Sequence, residues 1–203
     1  HLDRHGGMDG YQAAKMRIFQ NQTEKDVAII GFDDVITQSI AIGLSANGPA
    51  RVVQASSTYA LGRGVSAVDG RLYDSNSGQA QFVGNLSDCM ALPGRHNHQN
   101  AAAAYAACRA LGLDPQTIMD GIRTFPGLAH RLEMVGEIDG VKFVNDSKAT
   151  NAEAAEQAQT VLERAAQQTA RPLPEQDGAT LAELDLEAKE ALWQRAKGAA
   201  RAE

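Results

Sequence analysis

Apolar residues along the chain recur with two different periods. Met8, Tyr11, Ala14 and Ile18 recur at helical spacing after Gly6-Gly7, which predicts a helix over 8–19. Val27-Ala28-Ile29-Ile30-Gly31-Phe32 is a short continuous apolar run, the pattern of a parallel strand buried on both faces. Asp33-Asp34 then opens a helix to about Leu44, and Val52-Val53-Gln54-Ala55 reads as a second strand. Strand, helix and strand in that order predict the parallel sheet of an α/β domain.

From Val65 to Met90 the segments shorten and turn residues crowd in, among them Asp69-Gly70 and Asn76-Ser77-Gly78, so antiparallel hairpins are expected. Asn97 to Leu111 and Pro115 to Arg123 read as helices parted by Gly112 and Asp114. Leu132 to Val144, with Asp139-Gly140 at its centre, reads as one more hairpin. After Ala158 no strand-like run follows. Pro172 and Pro174 divide a Gln-, Ala-, Glu- and Arg-rich stretch whose stripe of Leu181, Leu184, Ala188 and Leu192 is helical and ends at Trp193.

Composition narrows this picture. At 203 residues and 43% hydrophobic, the chain can bury one good core and a second small one. A net charge of -6 without clustered Lys and Arg argues against a nucleic-acid surface. No apolar run is long enough to span a membrane and no basic-then-apolar leader is present, so no membrane partner and a cytoplasmic location are expected. Cys89 and Cys108 are expected to be reduced thiols, Cys108 in the apolar run of a helix. The chain opens at His1 rather than Met and is read as a fragment.

The densest chemistry is Asn145-Asp146-Ser147-Lys148-Ala149-Thr150-Asn151, between the apolar Val141, Phe143 and Val144 and an alanine-rich segment from Ala152. That places an acid, an amine and two hydroxyls on a strand-to-helix turn, where α/β sheets bind ligands because backbone amides and the helix dipole face anions. Asp146 suits ribose hydroxyls, while Lys148 and Thr150 suit a phosphate or carboxylate. The plainer reading is a polar loop in which Ser147 or Thr150 caps the helix and Lys148 is solvated.

Three further segments bear on that choice. They are His1-Leu2-Asp3-Arg4-His5 with Ala13-Ala14-Lys15, Leu92-Pro93-Gly94-Arg95-His96-Asn97-His98-Gln99-Asn100-Ala101, and Phe125-Pro126-Gly127-Leu128-Ala129-His130-Arg131-Leu132-Glu133. Together with the Asn145–Asn151 turn, in this order and at these spacings, they resemble the Mur ligase family, over roughly residues 1–158. Lys148-Ala149-Thr150 is similar to the branch that adds D-glutamate, where other branches carry a His- or Asn-rich motif.

The resemblance implies an α/β fold: a partial central ATP-binding domain with a mixed sheet over 1–128, then the start of a Rossmann-like C-terminal domain over 129–158. A helical or disordered tail of other origin would follow over 159–203. It implies ATP and Mg²⁺ as cofactors, with UDP-N-acetylmuramoyl-L-alanine and D-glutamate joined through an acyl phosphate in peptidoglycan precursor synthesis. By the same resemblance, His1 would be a magnesium ligand and Lys15 a carbamylated lysine acting as an oxygen ligand; each reads otherwise as an ordinary surface residue. Asn97 and Asn100, three apart at a helix start, would read adenine with both amides on one side; the alternative is N-capping by Asn97 with Asn100 solvated. His96 and His98 are expected to be structural or surface residues. Arg131 would meet phosphate or ribose, its alternative being a surface pair with Glu133. Asp146 would hold the ribose, and Lys148 and Thr150 the ATP phosphate or the incoming D-glutamate.

No G-x-x-x-x-G-K-[ST] phosphate loop occurs in these residues. The expectation is therefore a ligase sequence that lacks turnover as this chain. The alternative is a non-catalytic α/β module with residual nucleotide binding or a helical interaction tail. The residues do not indicate an oligomeric state.

Overall fold

The protein was analysed as a computed structural model, which describes residues 2–89, 91–138 and 141–148 together with Ala191. His1, the Asp139-Gly140 turn, Thr150 and the expected tail helix, apart from Ala191, lie outside the described residues. The chain divides into two compact units, His1–Phe125 and Pro126–Glu203.

The first unit begins with α1 (Leu2–His5) and α2 (Met8–Met16), the latter running into a 3₁₀ turn over Arg17–Phe19. A five-stranded sheet follows, with β1 (Val27–Gly31), β2 (Arg51–Ser56), β3 (Val65–Val68), β4 (Arg71–Asp74) and β5 (Gln81–Asn85) in spatial order β1-β2-β3-β4-β5. β1, β2 and β3 are parallel, and β3, β4 and β5 pair antiparallel. The parallel half needs a crossover, supplied between β1 and β2 by α3 (Val35–Asn47). The antiparallel half needs only tight turns. Asp69 (φ 50°) and Gly70 (φ 74°) are both left-handed between β3 and β4, the backbone of a turn whose twist matches a hairpin.

Burial follows the period of two. Along β1, Ala28 and Ile30 pack with Ala41 of α3, while Val27 and Ile29 pack on the opposite face against the larger core. That core joins Val53, Ala55, Val65 and Leu72 of the sheet to α4 (Arg95–Ala110) and α5 (Pro115–Arg123). Its largest fully buried side chains are Tyr105, Leu72, Leu86 and Met119. The Tyr105 hydroxyl donates to Asp74 Oδ2 at 3.2 Å, so its one polar atom is satisfied inside the core. Burial and the neighbouring Asp74 carboxylate push the phenol up to about 12, which keeps it a donor. Small residues on α4, with Ala101, Ala102 and Ala106 buried, let the helix approach the sheet closely.

Cap chemistry sets the helix starts. Asp34 accepts from Thr37 N at 2.9 Å to begin α3, and Asp114 accepts from Thr117 N at 3.0 Å to begin α5, with Pro115 following it. α4 starts differently: Gly94 (φ 88°) is the N-cap and offers no side chain. Cys89 and Cys108 are free thiols, Cys89 buried and Cys108 half-buried.

In the second unit β6 (Glu133–Ile138) and β7 (Val141–Asn145) form an antiparallel pair, the hairpin expected from Leu132 to Val144. Phe143 is its buried apolar residue, at 8% exposure. No helix among the described residues is long and apolar enough to cross a membrane.

Candidate functional site

The expected site residues fall into three places. Lys15 lies on α2, Asn97 and Asn100 on the first turns of α4, and Arg131, Asp146 and Lys148 in the second unit. His1 and Thr150 lie outside the described residues.

α2 has no buried residue, and its apolar stripe lines an open cleft of about 620 Å³ rather than a core. Met8, Tyr11 and Ile18 form one wall, and Ile29 and Gly31 of β1 with Ile36 of α3 the other. Lys15 sits on the lining with its Nζ 5.4 Å from the centre of the Tyr11 ring, a cation–π distance suited to an ammonium. Asp34 is the carboxylate of the same lining. Among the described residues no group of three His, Cys, Asp or Glu could hold a metal ion. Lys15 and Asp34 alone therefore do not make a magnesium site.

At the carboxyl ends of β1 and β2 an interaction appears that the sequence did not announce. The Asp33 carboxylate reaches across to the end of β2, accepting from Ser56 Oγ, from Ser57 N (3.0 Å) and Oγ (2.7 Å), and from Thr58 N (3.2 Å). Burial pushes this carboxyl up, but the hydrogen bonds outweigh burial and hold it below the usual carboxylate range. Asp33-Asp34 reads in sequence as a helix opening; only Asp34 caps the helix, and Asp33 ties two strand ends together. A run of Ser56-Ser57-Thr58 directly after a strand was the available signal.

On α4 the two asparagines part company. Asn97 is buried and its Nδ2 donates to Pro93 O at 2.7 Å, while Asn100 is exposed. Asn97 does not cap the helix, since it satisfies a carbonyl ahead of the helix instead of the orphan amides. His98 is half-buried, and burial, with His96 nearby, lowers its affinity for a proton.

The second unit brings three expected residues together. The loop 128–132 and the turn 145–148 are joined by Lys148 N donating to His130 O (3.0 Å) and Leu132 N donating to Asp146 Oδ1 (3.1 Å). Arg131 is exposed; its backbone N donates to Leu128 O at 3.2 Å, while its side chain, like that of Lys148, makes no hydrogen bond or ion pair among the described residues. The Arg131–Glu133 pair, the alternative reading of Arg131, is not found among the described residues. Glu133 Oε2 instead accepts from His130 N at 2.8 Å and lies 3.8 Å from His130 Nδ1. Two cations beside a carboxylate with one oxygen already engaged suit an anionic ligand that also carries hydroxyls.

A mixed sheet with parallel strands at one end and helices on both faces defines an α/β class of domain. The sequence profile of the Mur ligase middle domain matches residues 1–108, and the chain belongs to the Mur ligase family. Among its relatives, the UDP-N-acetylmuramoylalanine--D-glutamate ligase of Caulobacter vibrioides is 56% identical over 158 residues, covering 78% of this chain and 34% of the relative. The protein of the same name from Rhodospirillum rubrum is 53% identical over 159 residues, covering 78% and 33%. The chain therefore spans about a third of the length of these relatives. A crystal structure of MurF from Acinetobacter baumannii superposes with a TM-score of 0.61 at 24% identity, covering 81% of this chain and 35% of that one, a likeness of fold.

Proposed function

We propose that residues 1–158 are part of an ATP-dependent ligase that adds D-glutamate to UDP-N-acetylmuramoyl-L-alanine. The observation that carries this is the identity with ligases of that name over the stretch that includes Lys148-Ala149-Thr150. In this reading residues 1–128 are part of the central ATP-binding domain and 129–158 open the Rossmann-like C-terminal one, in the cytoplasm. The substrate carboxylate attacks the γ-phosphorus of ATP, releasing ADP and leaving an acyl phosphate. The amine of D-glutamate then attacks the acyl carbon and phosphate departs.

Such transfer depends on positioning and charge neutralisation. Arg131 and Lys148 are the cations available to the nucleotide phosphates, Lys148 with Thr150 also serving the incoming amino acid. Asp146 Oδ2 is the acceptor left for ribose hydroxyls, since Oδ1 is engaged by Leu132 N. Asn97 and Asn100 are assigned to adenine. Mg²⁺, with His1 and carbamylated Lys15 as its ligands, would supply further neutralisation of the phosphates.

A polypeptide limited to these 203 residues is expected to lack turnover, since they hold no phosphate loop and roughly several kcal/mol of phosphoryl stabilisation would be missing. A chimera tests the assignment: residues 1–158 replace the matching stretch of the Caulobacter vibrioides ligase. ADP release that requires both the UDP-linked substrate and D-glutamate is the expected result, and a folded but inert chimera would sink the reading. The isolated chain should release no ADP under the same conditions.

A further inference from the structure

Arg131 is carried by a loop with an unfavourable backbone. His130 (φ 66°) and Leu132 (φ 45°) flank it, both in the left-handed region, and neither is glycine. Side chains with a Cβ avoid that region because the Cβ crowds the following carbonyl, so contacts outside the loop must hold it there.

Leu132 N is held by Asp146 Oδ1 and His130 O by Lys148 N, and the remaining contacts to His130 converge on two residues. Glu133 Oε2 accepts from His130 N (2.8 Å) and from Asn145 Nδ2 (3.1 Å), and the same Asn145 Nδ2 lies 2.8 Å from His130 Nδ1. Asn145 Oδ1 accepts from Ser147 N at 3.2 Å, which orients the amide with its Nδ2 toward the histidine and the carboxylate. His130 Nδ1 is then an acceptor and the ring proton sits on Nε2. One amide thereby joins the loop before β6 to the turn after β7.

We propose that Glu133 and Asn145 are positioning residues, which together hold His130 left-handed and so fix the direction of Arg131 relative to Asp146 and Lys148. This rests on the assignment of Arg131 to the nucleotide. Neither residue touches the ligand; each acts through His130. A loop set before binding spares the ligand the cost of ordering it.

The test uses the whole 203-residue chain labelled with ¹⁵N and ¹³C. In the unaltered protein the HN–Hα couplings and ¹³C shifts of His130 and Leu132 should report left-handed backbone, and the His130 ring nitrogens the Nε2–H tautomer. Asn145→Ala and Glu133→Gln should each average the loop signature while the β6–β7 amide shifts persist. Adding Leu132→Gly to Asn145→Ala should leave the His130 signature lost, because Leu132 is held by Asp146 and not by Asn145. If Asn145→Ala unfolds the hairpin, the near-isosteric Glu133→Gln carries the test. A left-handed loop that survives both single substitutions overturns the proposal. ATP titration of the same samples separates it from the assignment it rests on. Asn145→Ala should weaken ATP about tenfold. ATP affinity unchanged despite a lost loop signature also overturns the proposal. An unaltered chain that binds no ATP defeats the nucleotide assignment, with the loop measurement still deciding whether Glu133 and Asn145 hold the backbone.

Discussion

The sheet of the first unit and the hairpin of the second are held in shape by different forces. Where the sheet meets α4 and α5, Tyr105, Leu72, Leu86 and Met119 are fully buried. At the mouth of the hairpin, the described conformation is kept by hydrogen bonds from Glu133, Asn145 and Asp146 to backbone and imidazole. Apolar burial is non-directional and tolerates repacking, whereas a polar network specifies one geometry and loses it when one member goes. The core can therefore be a scaffold while the loop presents Arg131 at a definite angle.

Four substitutions probe that contrast. Tyr105→Ala should have the largest effect, about 3–5 kcal/mol from lost burial and an unfilled cavity, read as a lower urea midpoint. A loss below about 1 kcal/mol would mean that the α4 interface is not a packed core.

Asp33→Ala should cost about 2–3 kcal/mol, because two serine hydroxyls and two amides lose their acceptor at once. It also gives a pH test. The folded carboxyl lies below its unfolded value, so its contribution is present above the unfolded pKa and is lost as pH falls through the folded one. The difference in stability between the parent and Asp33→Ala should shrink on acidification below the ordinary carboxylate range; a constant difference would show that the hydrogen bonds do not favour the ionised form.

In the hairpin, Asp146→Ala should cost only about 1 kcal/mol, read as amide exchange at Leu132 faster by about fivefold. Leu132→Gly should be the mildest, within about 0.5 kcal/mol of neutral, since relief of positive-φ strain offsets the entropy of glycine. A cost there of several kcal/mol would mean that Leu132 is held by packing and that the two regions differ less than their contacts indicate.

Much of the scaffold was legible from spacing. The apolar run at Val27, the Asp69-Gly70 turn, and Asp114-Pro115 ahead of a helix each encode local geometry within a few residues, and each element appeared where expected. Helix ends were less legible. Asn97 has the chemistry of a cap, yet Gly94 takes that place because its positive φ turns the chain. Motif order also pointed to the family, which the profile match and the relatives establish.

The site was legible as a set of residues rather than as an arrangement. Sequence put Arg131, Asp146 and Lys148 among the candidates through the family resemblance, since local chemistry alone reads as a polar loop. The alternative for Arg131, a surface pair with Glu133, is not found among the described residues, where Glu133 is drawn to His130 and Asn145.

By itself, then, the chain determined its elements, the parallel-then-antiparallel order of its strands and its family, since periodicity, turn chemistry and motif spacing are local properties. Tertiary structure alone decided that Asp33 would bind the end of a strand 23 residues away and that Asn145 would reach back 15 residues to His130. It also decided that α2 would turn its apolar stripe to a cleft. A side chain's partner depends on which backbone ends the fold brings together, and long-range hydrogen bonds leave no period in a sequence.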